Sequence, residues 1–227
     1  MDNKKALTSL DTFNWTQFQD EFESAFGITT ADYINRRPNY LIRVIPSEFS
    51  DDLLLKGEIR MGALDYYRSL EANNDGRADV SEGATAVFQS GEILIGDPPV
   101  YISEDRTTIY RYSDNANKGY IYCLYGCYDN IFDGNIHSID VPRQMKNMGE
   151  AQILIFNPGE FVNRCAKAAK EQGLTLVRGS VNYYDDKNSN LRRHPFMKPN
   201  SYCYQSEYRL YCPTIDCSES HFILNIG

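Results

Sequence analysis

The order of apolar runs in this 227-residue chain predicts an α+β protein, with helical elements toward the N-terminus and a mostly stranded remainder. Two patterns carry that reading. Trp15, Phe18, Phe22 and Phe26 recur at spacings of three, four and four, which places one aromatic stripe on a helix. From residue 85 onward most apolar residues instead fall in short runs separated by Gly, Pro, Asp and Asn, the punctuation of strands and turns. No internal repeat or low-complexity linker divides the chain. Residues 1–227 are therefore expected to form a single domain, with 1–37 a helical segment packed on its core.

Each element has a local reason. Asp11, Thr12 or Asn14 can cap the first helix and Gly27 can stop it. After the turn signal Arg37-Pro38-Asn39, YLIRVI (40–45) reads as a strand, and Pro46-Ser47 opens a short helix through Leu53 and Leu54 to Gly57. EIRM follows as a strand and ALDYYRSLE (63–71) as a helix. ANNDGRADVSEGA (72–84) has no periodic apolar positions and reads as a loop. TAVFQ, EILI, VYIS, TIYRY and GYIYCLYGC (119–127) are strands. Asn157 caps a helix with Pro158 at its first position, continued by FVNRCAKAAKEQ and stopped by Gly173. TLVRGSVNYY reads as a strand, DDKNSNLRRHPFMKPN as a long polar loop, and YCYQSEYRLYC and HFILNI as closing strands.

Charge and targeting narrow the functional classes. With 23 Lys and Arg against 31 Asp and Glu, the net charge of -8 argues against non-specific attraction to nucleic acid or anionic membrane. The first thirty residues lack the apolar run of an export signal, being interrupted by Asp11, Asp20, Glu21 and Glu23. No run of apolar residues is long enough to span a bilayer. The expectation is a cytoplasmic chain without membrane contact, its six cysteines reduced.

Four segments bear on chemistry. Strand alternation over Tyr204–Leu210 puts Gln205, Glu207 and Arg209 on one face and Tyr204, Ser206, Tyr208 and Leu210 on the other. Such a polar row is either a solvated edge or a site. In the 71–82 stretch, Glu71, Asn73, Asp75, Gly76, Asp79 and Glu82 match the spacing of a calcium loop, but the first position is Glu and a strand follows where an exiting helix is needed. A polar surface or cleft loop is the better reading, and if it lines a cleft, Arg77 and Glu82 become site candidates. Arg192, Arg193, His194 and Lys198 form a local basic cluster, either solvated or turned to a macromolecular target. The spacings Cys123-x3-Cys127 and Cys212-x4-Cys217-x3-His221 are not the compact zinc knuckle, so buried thiols and no metal are expected.

The succession GEIRMGALDYYRSLE, GRADVSEG, IYCLYGCYDN and YQSEYRL resembles the DUF2971 family of bacterial and phage proteins over roughly residues 40 to 212. That family carries a short strand, a polar segment ending near Glu-Gly and a late Glu-x-Glu-x-Arg, whose first Glu is Gln205 here. The late motif is similar to the Gln/Glu-x-Glu element of ADP-ribosyltransferases. The resemblance implies a split β-sandwich with N-terminal helices opening on an NAD cleft, NAD as cofactor, a protein or nucleic-acid acceptor, and a role as a toxin or in conflict between phage and host. Cleaving the nicotinamide glycosidic bond develops positive charge on the ribose, which a fixed carboxylate stabilises. Glu207 takes that role and Gln205 orients the acceptor. Arg43 either forks onto the pyrophosphate or is a surface ion-pair partner. Tyr66 and Tyr67 contact nicotinamide, and Arg77, Glu82 and Arg209 complete the cofactor-binding set. The chain departs from the pattern in lacking a Ser-Thr-Ser element on the second strand. An alternative is a catalytically inactive protein that acts by capturing or occluding a partner protein or a nucleotide ligand.

Overall fold

The structure is a computed structural model that describes residues 37–69, 81–84, 86–89, 94–95, 100–101, 108–111, 118–128, 141–185, 193–214 and 217–227. The expected N-terminal helix, Arg77, Arg192 and most of the calcium-loop positions lie outside the described residues.

In chain order the described elements begin with β1 (Tyr40–Ile45), a tight turn at Ser47–Phe49 running into α1 (Ser50–Leu54), β2 (Glu58–Ala63) and α2 (Leu64–Ser69). Four short strands follow, β3 (Ala86–Gln89), β4 (Leu94–Ile95), β5 (Val100–Tyr101) and β6 (Thr108–Arg111), paired as β3 with β6 and β4 with β5. Then come β7 (Gly119–Cys127), a 3-10 segment at Arg143–Met148, β8 (Ala151–Ile155) and α3 (Pro158–Glu171). The chain closes with β9 (Val177–Ser180), β10 (Asn182–Tyr184), β11 (Met197–Pro199), a 3-10 segment at Asn200–Gln205, β12 (Glu207–Pro213) and β13 (His221–Asn225). The fold is α+β, as the sequence patterns predict, and no described helix is long and apolar enough to cross a membrane.

β7 is the centre of a seven-stranded sheet because its nine residues are apolar or aromatic enough to be covered on both faces. Along one edge it pairs with β12 over its whole useful length, from Glu207 opposite Tyr125 to Pro213 opposite Gly119, and β12 in turn pairs with β9. The other edge is shared. β1 takes its end, with Tyr40 opposite Cys127 and Ile42 opposite Tyr125, while β2 takes its start, with Gly62 opposite Ile121 and Ala63 opposite Tyr120. Both strands run antiparallel to β7, so the end of β1 and the beginning of β2 head for the same stretch and must splay apart. β1 goes on to pair with β8, and β2 pairs with β13. The result is a fork in which Tyr122, Cys123 and Leu124 have no strand partner on that edge.

The two faces of this sheet are covered differently. On one, Leu41, Met61, Tyr122, Leu124, Leu210 and Cys212 pack with Phe161, Val162, Cys165, Ala168 and Ala169 of α3. That helix starts where expected: the Asn157 side chain accepts from the Glu160 N–H at 3.0 Å, Pro158 opens the first turn, and Gly173 ends the segment at φ 74. On the other face two apolar patches, Ile42-Val44-Val141-Met145 and Leu64-Ile121-Phe196-Tyr211, flank a polar centre.

Three expectations need correction. TLVRGSVNYY is not one strand: β9 stays in the main sheet and β10 leaves it to pair in parallel with β11. The segment read as a polar loop up to Asn200 ends in β11, and Arg193–Pro199 is buried throughout. The last long strand begins only at Glu207, because Asn200–Gln205 coils and Ser206 turns left-handed at φ 39 and ψ 46. β8, which the alternation did not reveal, is an additional edge strand beside β1.

Candidate functional site

The polar centre is built outward from Arg209. Opposite Cys123 in the middle of the sheet, it has no solvent exposure, and a buried guanidinium is tolerated only when its donors are met. Nη1 and Nη2 fork onto Glu82 at 2.8 and 3.0 Å, Nε reaches Glu207 at 2.6 Å, and Nη1 also donates to the Pro195 carbonyl. The fork is the planar, bidentate geometry that arginine supplies and lysine does not. Glu82 is brought there by a short turn at 81–84, all four of whose residues are buried, so this end of the GRADVSEG loop is a wall of the site and not a surface loop.

Glu207 projects from the first position of β12 on the same face. Its Oε1 accepts from Arg209 and its Oε2 from the Lys198 ammonium at 2.9 Å, while its backbone N–H donates to the Tyr183 hydroxyl at 2.8 Å. Burial alone would raise this carboxyl, but Arg209 first and Lys198 second more than reverse that, and they hold it well below the usual carboxylate range. Gln205 arrives by a different route from the expected one. It is not on a strand beside Glu207; the 3-10 coil and the left-handed Ser206 swing it in, and its Oε1 accepts from Lys198 at 2.8 Å.

These groups meet at a cavity of about 90 Å³ in the fork, lined by Arg43, Tyr67, Glu82, Cys123, Lys198, Gln205 and Glu207 together with the apolar side chains of β1. Arg43 closes the gap left by the missing strand partner. Its Nη1 donates to the Cys123 carbonyl at 2.6 Å, its guanidinium lies 4.4 Å from the centre of the Tyr122 ring, and its Nε is buried with no hydrogen-bond partner among the described residues. Burial pushes the Tyr122 hydroxyl up to about 12 against the opposing charge of Arg43. Burial likewise raises the Cys123 thiol far above its ordinary value, with Glu207 adding to the effect, so it stands as a neutral thiol. The phenol end of Tyr67 lies against Gly62, where an added Cβ would come within 2.7 Å of Cε2, so a side chain there would push the ring from the place it takes on the cavity wall.

Of the nominated residues, then, Arg43, Tyr67, Glu82, Gln205 and Glu207 converge on one cavity. Tyr66 does not: it is 43 % exposed and meets Tyr67 only edge-on. Arg209 lies behind the cavity wall as a bridge between two carboxylates, not as a ligand contact. The basic cluster is corrected too, because Arg193, His194 and Lys198 are all buried and form no surface patch. Arg193 stacks on Tyr184 with 3.4 Å to the ring centre. Burial, then the charges of Arg209 and Arg193, bring His194 down to about 3, and its Nδ1 accepts from the Phe196 N–H as a neutral ring. Lys198, Tyr183 and Cys123 escaped the sequence reading as site residues. The one available signal was a lysine framed by Phe196, Met197 and Pro199, an apolar setting that suits a paired, buried ammonium.

The six cysteines are unbridged, and among the described residues no group of three or more His, Cys, Asp or Glu is disposed to hold a metal. The cavity is far below the roughly 300–1,000 Å³ of a site for a drug-sized ligand. It suits a single ring or a few waters, with the remainder of any larger ligand lying outside it. Comparison of the chain with family models, with curated proteins and with solved structures returns no match.

Proposed function

We propose that the chain is an NAD-dependent ADP-ribosyltransferase-like enzyme on a split β-sandwich, with Glu207 as the catalytic carboxylate and a protein or nucleic-acid acceptor. The observation that carries the proposal is convergence: Arg43, Tyr67, Glu82, Gln205 and Glu207, nominated from four separate stretches of sequence, line one cavity. A role as a toxin or in conflict between phage and host rests on the motif resemblance alone.

NAD, when bound, supplies an ADP-ribosyl group whose ribose carbon becomes electron-poor as nicotinamide departs. For that chemistry the protein needs a carboxylate that is ionised at every physiological pH and cannot rotate. Glu207 meets both conditions, because two cations suppress its protonation and fix both of its oxygens. With Arg209, Lys198 and the Cys123 thiol all donating to it, one of the carboxylate's roughly four lone-pair directions is left for a ribose hydroxyl. Its low proton affinity makes it a stabiliser of positive charge and unsuited to general-acid work. The unpaired Arg43 Nε offers a donor to the oxygens of a bound ligand, and Tyr67 offers an aromatic wall.

The test is nicotinamide release from NAD by the purified chain. Glu207→Gln is expected to abolish most of it, with a barrier increase of about 2.7–4 kcal/mol, while the far-UV circular dichroism is retained. One observation favours a second reading. Glu207 is already neutralised by Arg209 and Lys198, as in a site kept for capture and not for turnover. In that case NAD or another nucleotide binds without nicotinamide release, and Glu207→Gln leaves its affinity unchanged.

A further inference from the structure

We infer that Lys198 is a positioning residue, which sets the Glu207 carboxylate and the Gln205 amide in one arrangement by bonding to both. The inference rests on the reading of Glu207 as catalytic and adds to it a residue that the motif does not contain.

Its grounds are geometric. Gln205 precedes a left-handed Ser206, so strand alternation does not align it with Glu207. Among the described residues one ammonium bonds both side chains, 2.8 Å from Gln205 Oε1 and 2.9 Å from Glu207 Oε2. Without it, the amide is free to flip and offer its N–H2 end to the carboxylate, so the ammonium selects the orientation seen. Because an ammonium is donor-only, it must meet the oxygen of the amide, which turns the Gln205 N–H2 end toward the Tyr204 hydroxyl at 3.4 Å. Lys198 is itself held in place from three sides. β11 pairs with β10, the side chain is 7 % exposed, and Nζ lies 5.1 Å from the centre of the Tyr202 ring. The long stem reaches the carboxylate from a strand that is not part of the main sheet, and that strand's partner β10 is tied to the start of β12 by the bond from the Glu207 N–H to the Tyr183 hydroxyl.

Arginine and lysine differ enough here to give a graded test. Lys198→Met removes the ammonium and keeps the stem, and Lys198→Arg keeps the charge with a different fork. With NAD as the probe, Lys198→Met is expected to lower kcat on the order of 100-fold, the effect of misplacing a reacting group by about an ångström, with KM little changed. Lys198→Arg should recover part of that loss. The acid limb of the pH profile should move to higher pH in Lys198→Met. The groups facing Glu207 are Arg209 from its own strand, Lys198 from β11, Cys123 from β7, Tyr183 from β10 and Tyr67 from α2, and Lys198 is the second of the two cations that hold its proton affinity down.

A second measurement does not depend on turnover. Carbon-13 labelling of the glutamate carboxyls lets the Glu207 titration be followed by NMR in wild type, Lys198→Met and Lys198→Arg. An upward move of that titration in Lys198→Met, absent in Lys198→Arg, supports the inference even if wild type releases no nicotinamide, an outcome that defeats only the enzymatic reading. An unmoved titration, or a kcat in Lys198→Met equal to wild type, overturns it. Should Lys198→Met fail to fold, Lys198→Arg decides alone: an altered kcat at unchanged KM supports positioning, and wild-type kinetics with a displaced Glu207 resonance refute it.

Discussion

On the face of β12 that meets α3, Tyr208, Leu210 and Cys212 are buried in a cluster with Phe161, Val162 and Cys165; on the opposite face, one residue away in sequence, Glu207 and Arg209 are just as deeply buried and carry full charges. The first face is held by removal of apolar surface from water, which needs no particular partner geometry. The second has to offset the desolvation of several ions with a few short bonds, and an apolar replacement of the whole set would serve stability as well or better. On the proposed reading, the strand keeps such a set for what it positions. Sheet alternation thus separates two tasks on one backbone, cohesion on the α3 side and charge placement on the fork side.

The largest effect that sharpens this contrast is expected from Arg209→Met. It leaves Glu82 and Glu207 buried without their shared cation, so urea denaturation should report a loss of about 3–5 kcal/mol. A loss under about 1 kcal/mol would mean that water reaches the network, and the contrast would fail. Leu210→Ala on the other face is expected to cost about 2–5 kcal/mol as a cavity forms under α3. The discriminating part is that nicotinamide release per folded molecule should be unchanged in this variant. The smallest effect concerns pH. A His194 ring held down to about 3, against 6.5 when unfolded, refuses a proton that the unfolded chain accepts. Stability is therefore fully present above pH 6.5 and declines as pH falls, by about 1.4 kcal/mol per pH unit for this one group. Between pH 6.5 and 5, before ordinary carboxylates begin to titrate, His194→Asn should flatten that decline in thermal melts. Below that range Glu207 adds a decline of its own, since its folded proton affinity is depressed as well.

The legible parts of the fold were those with local causes. Asn157, Pro158 and Gly173 bound α3 by capping chemistry that needs no knowledge of the rest of the chain, and Tyr40–Ile45 is a strand by its short run of apolar and β-branched residues after a turn signal. The site was legible in part, and for mixed reasons. Glu207 and Arg209 do share a face through alternation, whereas Gln205 reaches the same place through a coil and a left-handed residue that a period of two does not foresee. Arg193–Pro199 looked like a solvated basic loop because its charges are dense. It is buried because Arg193 finds Tyr184 and Lys198 finds Glu207 and Gln205, while Glu82 meets Arg209 across 127 residues of chain. Such pairings are visible only once the strands are in register. Tyr66 and Tyr67 are adjacent and chemically identical, but consecutive helical positions point in different directions, and Tyr67 is the one that comes down on Gly62 while Tyr66 stays exposed.

The fork in the sheet has a consequence for how the two layers are kept apart. Where β1 and β2 diverge, the guanidinium of Arg43 stands between the polar pocket and the apolar interior beneath α3, seated between the Cys123 carbonyl and the Tyr122 ring. A planar cation that hydrogen-bonds at its rim and stacks on its face is one of few groups that can act as a gasket there, wettable on one side and aromatic on the other.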